Sequence, residues 1–320
     1  MSHLRHLSFN QDYSYIAISS DNNFIIYNID PLVKRLMREF NDVEINIVEM
    51  LFRCNILAIV GKGNNSQYQP NKVMIWDDYQ NKCIAELTFK TNVKGVKLRK
   101  DKIIVVLENK IFIYNFINLA EIFQVDTIDN PKGLCAVSNS FIAYPGKNHG
   151  DIELYNGDTK IINAHKSNIS QIALSLDGSK MATASNKGTL IRIFNTSTHQ
   201  LLHEFRRGVD RAEIYSLSFD NDGNWLVLSS DKGTIHVYGI GNINKSSNLS
   251  FIKPILPGYF NSVWSFAQMR VPDIRTICSF GTSPNIIIAI SEDGWYYKFS
   301  YDLEKGGEAK IEVALKFIDV

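Results

Sequence analysis

Two adjacent arginines, Arg206 and Arg207, stand between Phe205 and Gly208 where one apolar run ends and another is about to open. A guanidinium presents a planar fork of N–H donors that fits phosphate oxygens bidentately. If the run before the pair is a strand, consecutive side chains leave on opposite faces. The two arginines then serve two separate anion sites, and Gly208 permits the sharp exit of the chain. Suitable companions lie on either side: His165, Ser185, Thr189 and Arg192 before the pair, and Ser230, Thr234 and His236 after it. Hydroxyls add compact donors, and a histidine beside a phosphate favours its charged form. Neither set holds a nucleophile with an aligned base, so the inventory binds an anion without transforming it. Two competing readings stay open here: an ion pair of the arginines with Asp210 or Glu213, and internal hydrogen bonding for His165 and the serines.

The elements that must position these residues repeat. Asp177-Gly178, Ser185 and Lys187-Gly188-Thr189 recur as Asp222-Gly223, Ser230 and Lys232-Gly233-Thr234, all at one offset of 45. Each unit reads as short β-rich runs separated by turns at Asp-Gly and Lys-Gly. Fainter copies, such as "YIAISSDNNFIIYNI" and "NIIIAISEDGWYYKF", bring the total to seven, and Trp76-Asp77 closes one of them. Four short strands per unit over the whole chain predict an all-β, seven-bladed WD-repeat β-propeller, read as a single domain over residues 1–320. Pro31 to Phe40 is expected to be a connection followed by an outer strand. Residues 239–262 break the period without strand alternation, and a loop that long is usually functional or disordered.

Bulk composition excludes several function classes. The 320 residues carry 34 basic and 33 acidic side chains, for a net charge of +1, so no global field draws the chain to nucleic acid or membrane. The most basic run, Val93 to Lys102, alternates valine and leucine with Lys94, Lys97 and Arg99, which reads as a half-buried strand with a solvated face. No nucleic-acid partner is expected. The N-terminus lacks the apolar core of a signal peptide and no stretch is apolar enough to span a bilayer, so a cytoplasmic protein, monomeric in solution, is expected. Four scattered cysteines, Cys54, Cys83, Cys135 and Cys278, suit a reducing compartment, are expected to be buried, and offer no metal-site spacing. The chain has no GxSxG, Walker, HExxH or GxGxxG pattern, so neither an enzyme nor a cofactor is expected.

With FRRG at Phe205–Gly208 inside a seven-unit propeller, the sequence resembles the PROPPINs, β-propellers that bind polyphosphoinositides. "NAHKSNIS", "SNKGTLIRIF" and "SSDKGTIHVYG" support the resemblance, and "DNPKGLC", "VMIWDD" and "YFNSVWSF" look closer to the short WIPI-like branch. The resemblance implies a first head-group site of His165, Ser185, Thr189, Arg192 and Arg206, and a second of Arg207, Ser230, Thr234 and His236. Its implied ligands are phosphatidylinositol 3-phosphate and phosphatidylinositol 3,5-bisphosphate on phagophore, endosomal or vacuolar membranes. It also implies that the long loop of the sixth unit contacts the bilayer, here through Phe251, Ile252, Lys253, Ile255, Leu256, Tyr259 and Phe260. Apolar side chains there would dip into the interface while lysine meets anionic lipid. A further implication is an autophagy partner, such as a lipid-transfer protein, at the second blade. Binding is expected to weaken with salt, and to strengthen toward pH 6 if His165 or His236 becomes charged. The alternative is an interaction scaffold without essential lipid binding, which would tolerate loss of Arg206 and Arg207.

Overall fold

A computed structural model describes residues 4–41, 43–63, 67–240 and 263–318 of the chain. Among these residues every regular element is a strand. The strands form seven sheets in series, over residues 6–39, 45–88, 95–126, 136–163, 169–206, 214–270 and 276–316. Strands follow chain order within each sheet, and hairpin neighbours pair antiparallel. This is the seven-bladed β-propeller that the repeat predicts. Pro31 to Phe40 contains the outer strand of the first sheet, Leu32–Glu39, as expected.

The fifth and sixth sheets hold the residues singled out above. The fifth consists of Ile169–Leu174, Lys180–Ser185, Leu190–Asn195 and Leu201–Arg206. The sixth consists of Ile214–Phe219, Trp225–Ser230, Thr234–Gly239 and Ala267–Arg270. Their β-branched runs are bounded by turns in which glycine takes a left-handed conformation, with φ of +61° at Gly188 and +59° at Gly233. Gly188 is fixed twice over, because an added Cβ would lie 1.9 Å from the Ala212 carbonyl oxygen. Each sheet also gains a two-residue strand that the repeat does not announce. Val263–Trp264 pairs in parallel with Phe205 and Arg206, and Gly307–Glu308 pairs in parallel with Ala267 and Gln268.

The chain divides into two compact units, one built mainly from Met1–Val137 and the other mainly from Asn148–Ile318. In the first, one core joins the first two sheets through Phe24, Ile45, Leu57, Ile59 and Trp76, and another joins the second and third through Val60, Val73, Leu98 and Ile103. In the second unit, Ala182, Ile191, Phe205, Leu226, Leu228 and Tyr238 form the core between the fifth and sixth sheets. Phe205 is fully buried, with its ring 4.8 Å from that of Tyr238. The residue before the arginine pair is therefore an anchor, and truncation of such a phenylalanine to alanine costs about 3–5 kcal/mol.

The basic run Val93 to Lys102 is a strand over Gly95–Arg99 with Val96 and Leu98 buried. Its cations are paired, Lys97 with buried Glu49 at 2.9 Å, Lys94 with Glu108 at 3.4 Å and Arg99 with Asp101 at 2.5 Å. Cys135 and Cys278 are buried, as expected, and burial pushes each thiol up to about 12. Cys54 is exposed and Cys83 half-buried, contrary to expectation, because they sit outside the inner strands, near a turn and on an outer strand.

Candidate anion-binding sites

The strand ending in the arginines alternates as the sequence predicts. His203 and Phe205 project on one face, where their rings stack 5.6 Å apart, and Glu204 and Arg206 project on the other. On the Glu204 face, Thr183 lies opposite Arg192 and Arg192 opposite Glu204, forming one row across three strands. Leu190 and Arg206 continue the next row, and alternation places Ser185 on the same face as Thr183. His165 joins the row through its Nε2, 3.0 Å from Thr183 Oγ1. Arg192 is already engaged: Nε and Nη2 each lie 2.9 Å from Glu204 Oε2, and Nη1 donates to the Ala164 carbonyl at 2.6 Å. Ser185 closes the turn by accepting the Gly188 N–H through its carbonyl at 2.9 Å, and Thr189 accepts the Arg207 N–H at 2.9 Å.

Of the first predicted set, His165, Ser185, Arg192 and Arg206 are thus brought to one face of the fifth sheet, with two members that sequence reasoning missed, Thr183 and Glu204, while Thr189 precedes the strand and enters only through its backbone carbonyl. A signal for both was present. Each stands two residues before a named residue, Ser185 or Arg206, and on a strand that spacing means the same face.

Arg207 turns the other way, toward the sixth sheet. It is 7% exposed, its Nε donates to the Gly188 carbonyl at 3.0 Å, and its Nη2 donates to the Asp210 carbonyl. The link to Asp210 is therefore through backbone rather than the carboxylate. Burial lowers the pKa of Arg207, opposed by Tyr238, Asp231 and Asp210. His236 is buried with its Nδ1 3.2 Å from Ser265 Oγ, which also accepts Gln268 Nε2 at 2.8 Å. Ser230 is 4% exposed, and its hydroxyl has no hydrogen-bond partner among the described residues. A buried hydroxyl left unsatisfied is costly. Thr234 sits half-buried directly opposite Arg270, and His236 opposite Gln268. Ser265, Gln268 and Arg270 border a cavity of about 270 Å3. These three escaped the sequence reading because the outer strand of the sixth sheet follows the stretch that breaks the repeat.

Two expectations change. Both histidines are held down at about 4, His165 by burial and then by the Arg192 cation, His236 by burial and then by Arg207. Each is neutral at pH 6 in the free protein, so the charged form expected there is absent. Gly208 is not in the left-handed region, and an added Cβ would meet nothing within 4 Å, so the chain's exit does not require glycine. The loop residues Phe251, Ile252, Lys253, Ile255, Leu256, Tyr259 and Phe260 lie outside the described residues. Among the described residues, no group of three or more His, Cys, Asp or Glu side chains could hold a metal ion, and no helix is long and apolar enough to cross a membrane.

Seven serial sheets, five of four strands and two of five, with repeated Asp-Gly and Lys-Gly turns define a β-propeller of the WD-repeat class. The PROPPIN family model matches residues 3–264, and the chain belongs to that family. It is 41% identical over 317 residues to Autophagy-related protein 18e of Arabidopsis thaliana, covering 94% of this chain and 84% of that one. Among solved structures, Kluyveromyces lactis Hsv2 superposes with a TM-score of 0.83 at 26% identity, over 99% of this chain and 100% of that one. KlAtg21, solved in complex with the coiled-coil of AgAtg16, gives the same TM-score, identity and coverage.

Proposed function

We propose that this PROPPIN is a phosphoinositide effector. It binds phosphatidylinositol 3-phosphate and phosphatidylinositol 3,5-bisphosphate through two pockets flanking Phe205–Gly208, and is recruited peripherally to phagophore, endosomal or vacuolar membranes in autophagy or vacuolar trafficking. The observation that carries the reading is the divergence of the arginines. Arg206 shares a face with Ser185, Arg192 and Glu204, while Arg207 faces His236 and the sixth sheet. The unsatisfied Ser230 hydroxyl supports a ligand in the second pocket, because a phosphate oxygen would restore its missing bond. Two modest pockets on one rim act on the same bilayer, so the second engagement becomes intramolecular and recruitment rises steeply with lipid density.

The test is co-sedimentation with vesicles across the phosphoinositides, using the wild type, Arg206→Thr, Arg207→Thr and the double variant. The reading requires pelleting only with 3-phosphorylated lipids, weakening by each single change, and loss in the folded double variant. Equal pelleting of the double variant would leave the scaffold reading. That alternative draws on KlAtg21, which was solved with a coiled-coil partner. A protein partner of this kind at the second blade is compatible with lipid binding and is separated from it by the same variants.

A further inference from the structure

At its outer end the sixth sheet repeats the ladder of the fifth. In the fifth, Arg192 lies opposite Glu204 and Leu190 opposite Arg206; in the sixth, His236 lies opposite Gln268 and Thr234 opposite Arg270. Between these pairs stand the buried anchors, Phe205 against Ile191 and Met269 against Ile235. Both outer strands are closed by the same bond, from the Arg207 N–H to the Thr189 carbonyl and from the Val271 N–H to the Gly233 carbonyl, each at 2.9 Å. Arg270 therefore holds in the sixth sheet the place that Arg206 holds in the fifth, and Val271 that of Arg207. Strand alternation puts Thr234 and His236 on one face, and direct pairing puts Arg270 and Gln268 on the same face beside them.

Arg270 is exposed and makes neither an ion pair nor a side-chain hydrogen bond among the described residues. Its neighbour on the strand differs from that of Arg206. Glu204 is a carboxylate that engages Arg192, whereas Gln268 is neutral and donates to Ser265 Oγ at 2.8 Å. Ser265 Oγ also lies 3.2 Å from His236 Nδ1, so it joins that histidine to the cavity of about 270 Å3 that Ser265, Gln268 and Arg270 border. Glu308 borders the same cavity and forms no ion pair with Arg270.

We propose that Arg270 is a phosphate ligand of the second head-group site, the sixth sheet's own counterpart of Arg206. This rests on the head-group reading. Each site then holds two guanidinium groups, Arg192 and Arg206 in the first and Arg207 and Arg270 in the second, and an outer-strand fork can take two phosphate oxygens in its plane. Because Val271 is uncharged where Arg207 is a cation, the sixth sheet passes no arginine on to the seventh, and the series of sites stops at two.

The test uses Arg270→Gln in two assays: sedimentation with phosphatidylcholine vesicles containing phosphatidylinositol 3-phosphate, and calorimetric titration with soluble inositol 1,3-bisphosphate, which involves no bilayer. Vesicle affinity should fall about tenfold, as expected for one charge-assisted phosphate contact. One of two soluble head-group sites should weaken by at least about as much, with Tm unchanged because the side chain has no partner in the free protein. Arg270→Lys should fall between, since it keeps the charge without the fork. Combination with the other arginines places the residue. Added to Arg207→Thr, the change should cost less than about twofold more, because both act in one site; added to Arg206→Thr, it should abolish sedimentation, because neither site is left intact. Two soluble sites of wild-type affinity in Arg270→Gln, or an equal further loss in both backgrounds, overturns the assignment of Arg270 and leaves the head-group reading standing. Absence of both sedimentation and soluble head-group binding in the wild type overturns the head-group reading and the assignment with it.

Discussion

Arg207→Ala tests whether the second arginine is a structural clamp as well as an anion ligand. In the free protein its guanidinium ties the Gly188 turn to the chain at Asp210. Two bonds from a charged donor are worth about 1.5–3 kcal/mol each. Against them stands the desolvation of a cation that is 7% exposed, which itself runs to several kcal/mol. We take the net loss as about 2 kcal/mol. Unfolding entropy of about 2.1 cal/mol/K per residue gives roughly 0.7 kcal/mol/K for this length, so Tm should fall by about 3 °C. The assay is thermal unfolding followed by far-ultraviolet circular dichroism, with vesicle sedimentation on the same samples well below Tm. Ile103→Ala serves as the control. It empties a fully buried site in the third sheet at a cost of about 2–5 kcal/mol and should keep lipid binding. An unchanged or raised Tm for Arg207→Ala would refute the clamp, and loss of binding in Ile103→Ala would show that sedimentation follows stability instead of the arginine.

Three further outcomes are expected. Ser230→Ala should leave Tm unchanged or raise it, since it removes an unsatisfied buried hydroxyl, yet weaken vesicle binding; a clear fall in Tm would contradict this. His165 and His236 are depressed to about 4 in the folded chain, so the unfolded chain takes up their protons first as pH falls below about 6.5. Their contribution is full above that pH and is lost progressively toward 4, and His236→Asn should narrow the drop in Tm between pH 7.5 and 5. Glu204→Gln should tighten soluble head-group binding at the first site by up to about fivefold in calorimetric titration, because it frees Arg192 from a partly exposed ion pair; unchanged or weaker binding would assign that pair a supporting role.

The propeller and the divergence of the arginines were legible because both depend on local rules. Asp-Gly and Lys-Gly turns need left-handed glycine, and strand alternation fixes sides. What escaped depends on long-range register. The engagement of Arg192 with Glu204 follows from pairing across a bulge between Ile193 and Phe194, which no repeat offset encodes. The pKa depression of His165 and His236 follows from burial beside arginines of other strands. The Val263–Trp264 strand joins an edge far earlier in the chain, and two residues carry no periodicity to announce it. Gly208 was misjudged because a glycine after a strand suggests a turn, whereas here its small size leaves open space beside the pair.

The parallel strand laid against Phe205 and Arg206 also sets an order of manufacture. A nascent chain emerges from its N-terminal end, and domains tend to fold as they appear. The arginine pair leaves the ribosome well before Val263 and Trp264, so until then the fifth sheet keeps an open edge. A chain released early would carry FRRG with that edge unsealed, prone to pair with another chain. Docking of Val263 and Trp264 covers that edge before the outer strand of the sixth sheet, Ala267–Arg270, has been made.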